Sequence, residues 1–139
     1  MRRIADIVKS SAEARAAFLA AALLLSAAGA AYAKGVTKTV RFPKGSKSTV
    51  VEGGVARADR DRYIVGARAG QRMTVSITSA EDNAVFQIYR PASKRALSGA
   101  GEGDDAKDWS GALPSSGNYV IVVGGTRGNA EYRLSISVE

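Results

Sequence analysis

From residue 37 onward, apolar and polar residues alternate with a period of two. The clearest stretch is 72–79, where Met73, Val75 and Ile77 face one way and Thr74, Ser76 and Thr78 the other. Residues 132–138 repeat the pattern, with Tyr132, Leu134, Ile136 and Val138 on one face and Arg133, Ser135 and Ser137 on the opposite one. A period of two is the mark of a strand with one buried face. Further strands are predicted over 37–42, 48–55, 62–67, 84–89, 108–113 and 118–123, which makes eight in all and no helix. Between them lie short segments with turn chemistry at 43–47, 57–61, 68–71, 114–117 and 124–129, rich in Gly, Pro, Asn, Asp and Ser. The pattern is that of an all-β fold, an antiparallel β-sandwich or small barrel. One connection stands apart. Residues 98–107 (SGAGEGDDAK) are long and polar, and are expected to bury little and to be mobile.

The alternation does not extend to the first 33 residues. Arg2, Arg3, Lys9 and Arg15 precede an apolar run, Ala16 to Leu25, and Ala31-Tyr32-Ala33 has the small-x-small form of a secretory cleavage site. Residues 1–33 therefore read as a secretory signal peptide, and 34–139 as a single β-sandwich domain beginning at Lys34. The apolar run is short of the roughly 20 residues that span a bilayer, so no membrane span is expected after cleavage. Without cysteine there is no lipid-modified N-terminus either.

Composition narrows the chemistry. The 139 residues include no His and no Cys, which excludes a histidine general base, a thiol nucleophile, a His/Cys zinc site and a disulfide framework. The formal net charge is +7, and loss of the first 33 residues, with four basic and two acidic side chains, lowers it to +5. The basic residues are dispersed among acidic ones, which argues against nucleic acid and leaves anionic cell-envelope polymers as electrostatic partners.

Three constellations could carry chemistry. Asp59 and Asp61 are interleaved with Arg57, Arg60 and Arg62. Flanking guanidinium groups hold such carboxylates ionised, so the segment reads as a solvated turn and not as a glycosidase acid pair. Glu102, Asp104, Asp105 and Asp108 supply hard oxygen atoms on a Gly-rich loop, the raw material of a calcium site, but their spacing is not that of an EF-hand. Ser116 has no base placed by any nucleophile motif. In Ser116-Gly117-Asn118-Tyr119, Gly117 suits a positive-φ turn position, Ser116 a local hydrogen bond, and Tyr119 a buried ring whose hydroxyl reaches backbone. Nothing indicates a cofactor, and the expectation is a protein that is not an enzyme.

Taken in order, Val40-Arg41-Phe42-Pro43-Lys44-Gly45, Asp61-Arg62-Tyr63, Arg68 to Ile77, Leu113 to Tyr119 and Thr126-Arg127 resemble the periplasmic inhibitors of g-type lysozyme from Gram-negative bacteria. The Ala-Gly-Gln and Ser-Gly-x-Tyr turns are also similar to those of the bacterial prepeptidase C-terminal type of β-sandwich. The resemblance implies a sandwich that protects peptidoglycan by inserting loops into the lysozyme cleft. Arg127, in its Thr126-Arg127 context, matches an inhibitory arginine of the family, and Ser116, Gly117 and Tyr119 match its Ser-Gly-x-Tyr motif. Arg57, Asp59 and Arg60 lie on a neighbouring turn and complete the expected lysozyme-binding set.

Two departures accompany the resemblance. Ala58 stands where the family has a loop tyrosine, and the loop after Arg127 reaches Tyr132 in five residues, too short for a second family arginine. The expected function is that of an exported, periplasmic protein that binds and inhibits g-type lysozyme. The alternative is a non-catalytic envelope- or carbohydrate-binding β-sandwich module.

Overall fold

A computed structural model describes residues 35–139; the predicted signal peptide, 1–33, lies outside the described residues. Eight strands follow one another: β1 (Thr37–Thr39), β2 (Ser48–Val55), β3 (Asp61–Ala67), β4 (Arg72–Ser79), β5 (Ala84–Tyr89), β6 (Asp108–Ala112), β7 (Gly117–Gly125) and β8 (Ala130–Val138). They form two four-stranded sheets in the orders β1-β3-β7-β5 and β2-β8-β4-β6. No helix among the described residues is long and apolar enough to cross a membrane.

The period-two pattern sets the interior. Tyr63 and Val65 of β3, Tyr119, Ile121 and Val123 of β7, and Phe86 and Ile88 of β5 meet Met73, Val75 and Ile77 of β4 and Tyr132, Leu134, Ile136 and Val138 of β8 in one buried cluster. Both predicted apolar faces, 73/75/77 and 132/134/136/138, point into it, as expected for two sheets packed face to face.

The strand pairs are antiparallel except one: β1 runs parallel to β3, with Thr37 opposite Arg62 and Thr39 opposite Ile64. Its predicted extent of 37–42 is cut to three residues because β2 belongs to the other sheet and the chain leaves the β3 ladder to reach it. Val40 and Phe42 pack against the core on the way. Strand β7 extends past its predicted end through Gly124 and Gly125. These glycines read as a turn but sit in the ladder, because the Arg60 side chain lies across Gly124, where a Cβ would stand 2.8 Å from it.

The connection from β5 to β6 corrects another expectation. Residues 91–107 are not a loose loop: Leu97, Ala100 and Ala106 are buried, and the segment runs along the free edge of β5. Phe86 N–H donates to the Ala106 carbonyl at 2.9 Å, Ile88 N–H to Ala100 at 2.9 Å, and Leu97 N–H to Ile88 at 2.8 Å. Trp109 Nε1–H donates to the Ser98 carbonyl at 2.8 Å. Three small or apolar side chains within a polar string suffice to pin it, and they close an edge that would otherwise be open to pairing.

Candidate functional site

Register gathers three turns at one end of the sandwich. Asp61 faces Val123, Ala84 faces Gly125, Val55 faces Ala130 and Ser79 faces Tyr132, so the turns 56–60, 80–83 and 126–129 are neighbours. Arg57, Asp59, Arg60, Thr126 and Arg127 all belong to this end.

A buried network holds its base. Asp61 and Tyr63 on β3 and Tyr132 on β8 are each under 5% exposed. The Tyr132 hydroxyl donates to Asp61 Oδ2 at 2.6 Å, so the Tyr63 hydroxyl, 2.5 Å from that of Tyr132, donates to it in turn. Asp61 Oδ1 accepts the Val36 N–H at 2.9 Å. The two rings meet edge to face with centroids 6.4 Å apart. Burial pushes both phenols up from their ordinary pKa; for Tyr132 the bonds to Asp61 and Tyr63 push the same way.

Above that base, Asn83 organises the turns. It is 2% exposed. Its Nδ2 donates to the Arg127 carbonyl at 3.1 Å and to the Asn129 carbonyl at 3.0 Å, while its own carbonyl accepts the Thr126 N–H at 2.8 Å. Ser79 Oγ fixes Asn83 by accepting its N–H at 2.9 Å. Asn129 Oδ1 accepts the Arg57 N–H at 2.8 Å, joining the 126–129 turn to the 56–60 turn. Asn83 and Asn129 did not figure among the predicted site residues. In sequence each is an asparagine in a turn, and only their long-range partners distinguish them.

The charged side chains project from this frame. Arg127 is exposed, and one edge of its guanidinium is held by the Glu81 carbonyl, to which Nη2 donates at 2.8 Å. Arg60 is exposed and donates from Nη1 to the Asp59 carbonyl at 2.9 Å. The ion pairs formed among the described residues are Lys107–Asp82 and Arg133–Glu52, both 2.9 Å, and neither involves Arg57, Arg60 or Arg127. Ala58, at the tip of the 56–60 turn, adopts a left-handed φ of 68°.

Ser116, Gly117 and Tyr119 lie at the other end. Ser116 immediately precedes β7, Gly117 and Tyr119 lie at its start and Thr126 follows its last residue, so about nine residues at about 3.4 Å each, roughly 30 Å, separate the two groups. The Ser116 hydroxyl oxygen accepts the Ala69 N–H at 2.8 Å. Gly117, at φ 142°, lies so close to Pro91 that a Cβ would come within 2.7 Å of it. Tyr119 is fully buried, and its hydroxyl donates to the Ser115 carbonyl at 2.7 Å. This arrangement shapes a turn and offers no tyrosine surface to a partner.

The acidic segment forms no centre. No group of three or more carboxylates among the described residues converges to hold a metal, and Asp104 Oδ2 accepts the Gly101 N–H at 2.8 Å within its own turn. What the first end can do is present Arg57, Arg60 and Arg127 to an acidic surface, the last two with one guanidinium nitrogen held by a backbone carbonyl.

No family model matches the chain, and no curated protein does. Solved structures do. The fold is similar to that of PliG from Aeromonas hydrophila, a periplasmic lysozyme inhibitor of g-type lysozyme, with 32% identity over 77% of this chain and 100% of that one and a TM-score of 0.63. PliG from Salmonella Typhimurium, described in the same terms, shares 25% identity over 76% of this chain and 100% of its own, with a TM-score of 0.62. The pre-peptidase C-terminal domain of a Bacillus anthracis collagenase, at 13% identity, 76% and 97% coverage and a TM-score of 0.53, shares the fold alone. With about a third of its aligned residues in common with the Aeromonas protein over that protein's whole length, the chain belongs to the family of periplasmic inhibitors of g-type lysozyme.

Proposed function

We propose that the protein is exported, loses residues 1–33, and in the periplasm binds g-type lysozyme, with the turns 56–60 and 126–129 entering the active-site cleft. It acts by occupying the cleft and carries out no reaction of its own. The observation that carries this reading is the placement of Arg127: exposed, with one edge of its guanidinium held by the Glu81 carbonyl, on a turn tied to the one that bears Arg57 and Arg60. A glycoside hydrolase cleft contains catalytic carboxyl groups, and a pre-oriented guanidinium fork pairs with a carboxylate through two parallel, charge-assisted hydrogen bonds. Preorientation lowers the entropy lost on docking. Ser116, Gly117 and Tyr119 support the far end of β7 and do not enter the cleft.

The test is lysis of a peptidoglycan suspension by g-type lysozyme in the presence of the exported protein, with c-type and i-type enzymes as controls. The expected outcome is selective protection from the g-type enzyme at submicromolar protein, an affinity of about 8 kcal/mol or better. Absence of protection against all three enzymes overturns the proposal.

A further inference from the structure

Basic side chains that are scattered along the sequence are gathered by the fold at one pole. Segments 40–47, 68–72 and 90–95 hold eight basic residues and no acidic one, whereas the rest of the described chain holds seven basic against eleven acidic. All three segments lie at the end where β7 begins, opposite Arg127. Ala67, the last residue of β3, faces Gly117, and β4 starts from Arg72 opposite Ala112. The Lys47 carbonyl accepts the Val138 N–H at 2.9 Å, at the close of β8. Pro91 lies against Gly117. Of the acidic residues, Glu139 adjoins this pole, its N–H donating to the Arg72 carbonyl at 2.9 Å.

Arg41, Lys44, Lys47, Arg68, Arg72 and Arg95 are exposed, and none makes an ion pair among the described residues. Arg90 is half-buried, and Lys94 shares a hollow with Glu102 on the β5 face, which leaves these six as the open cations of the pole. Lys47 and Arg72 stand at the starts of strands two spacings apart, about 10 Å, close to the Debye length of about 8 Å, so their potentials overlap and add. The six stem from both sheets: 40–47 crosses from the sheet of β1 to that of β2, 68–71 crosses from β3 to β4, and 90–95 caps β5. They are spread over an area of about 14 Å by 10 Å, three strand spacings by one sheet separation. A polymer chain crossing that area meets a row of them; a charged plane meets them all. The exposed large apolar residues, Val36 and Val50, belong to none of the three segments, so the attraction is electrostatic and involves no insertion among acyl chains. We propose that this pole docks on the surface of a membrane rich in anionic phospholipid, with lipid phosphates on the six cations. The Arg127 end, the length of β7 away, then points into the aqueous phase.

The test is co-sedimentation of the exported protein with vesicles of phosphatidylcholine, either pure or with one quarter phosphatidylglycerol. No lysozyme is present, so the result is independent of the inhibition reading. Expected is at least tenfold stronger binding to the anionic vesicles at about 0.1 M salt, most of it lost at about 0.5 M. The triple variant Lys44→Gln, Lys47→Gln, Arg95→Gln should weaken that binding at least tenfold. Arg57→Gln, Arg60→Gln, Arg127→Gln removes the same charge from the opposite end and should leave it within twofold. A thermal melt checks that each triple variant is folded, and the comparison of the two vesicle types needs neither variant. Equal binding to both vesicle types, equal loss in the two triple variants, or tighter capture by purified peptidoglycan sacculi than by anionic vesicles overturns the proposal.

Discussion

Arg127 combines exposure with restraint: its Nη2 is held by a backbone carbonyl, leaving the rest of the fork for a partner. Arg127→Ala should therefore weaken g-type lysozyme binding by about 2 kcal/mol or more, as for a charged anchor in a desolvated pocket, without lowering the melting temperature. Titration calorimetry on both proteins gives the comparison. Beneath it, Tyr63 and Tyr132 are buried as neutral phenols, and burial is the main reason their pKa is raised. The unfolded chain loses these protons near pH 10, while the folded chain resists. The stability they contribute is intact below about pH 10 and is lost as pH rises further. Urea unfolding from pH 8 to 11 should show it, with a shallower decline in Tyr132→Phe, which also lowers stability by about 1–3 kcal/mol by removing a donor from buried Asp61. The exposed arginine could be picked out from sequence because a family motif flanks it. Asp61 could not: among alternating arginines it read as solvated, and only the fold shows it buried under a tyrosine from the opposite sheet.

Glycine placement explains much of how the strands are built. Gly124 leaves room for the Arg60 side chain over β7, so Gly124→Ala should displace that guanidinium and weaken lysozyme binding while the fold persists. Gly117→Ala meets both a positive φ and Pro91, and should cost about 1–3 kcal/mol in a thermal melt, with strand β7 still formed. Strands β2, β4 and β5 could be read to the residue, β4 because its alternation is uninterrupted and β2 and β5 because turn residues bracket them on both sides. The ends of β7 and the stitching of 91–107 could not, because glycines and small residues signal turns in sequence whether they break a ladder or make room for a neighbour's side chain.

At the scale of the molecule, the roughly 30 Å between the ends of β7 separates the Ser116 turn from the end proposed to meet lysozyme. Ser116→Ala should leave lysozyme binding unchanged where Arg127→Ala abolishes most of it. The pairing of β2 with β8 has a consequence for how the chain matures. Ser48 lies opposite Ser137, so the sheet that carries half the core cannot close until the last strand has been synthesised. Long loop closure precedes any reward from that pairing, which places folding in the slow, millisecond-to-second range of all-β domains. A chain that acquires its final partner last stays unfolded until β8 is available, the state that the proposed export would need for threading through a narrow channel.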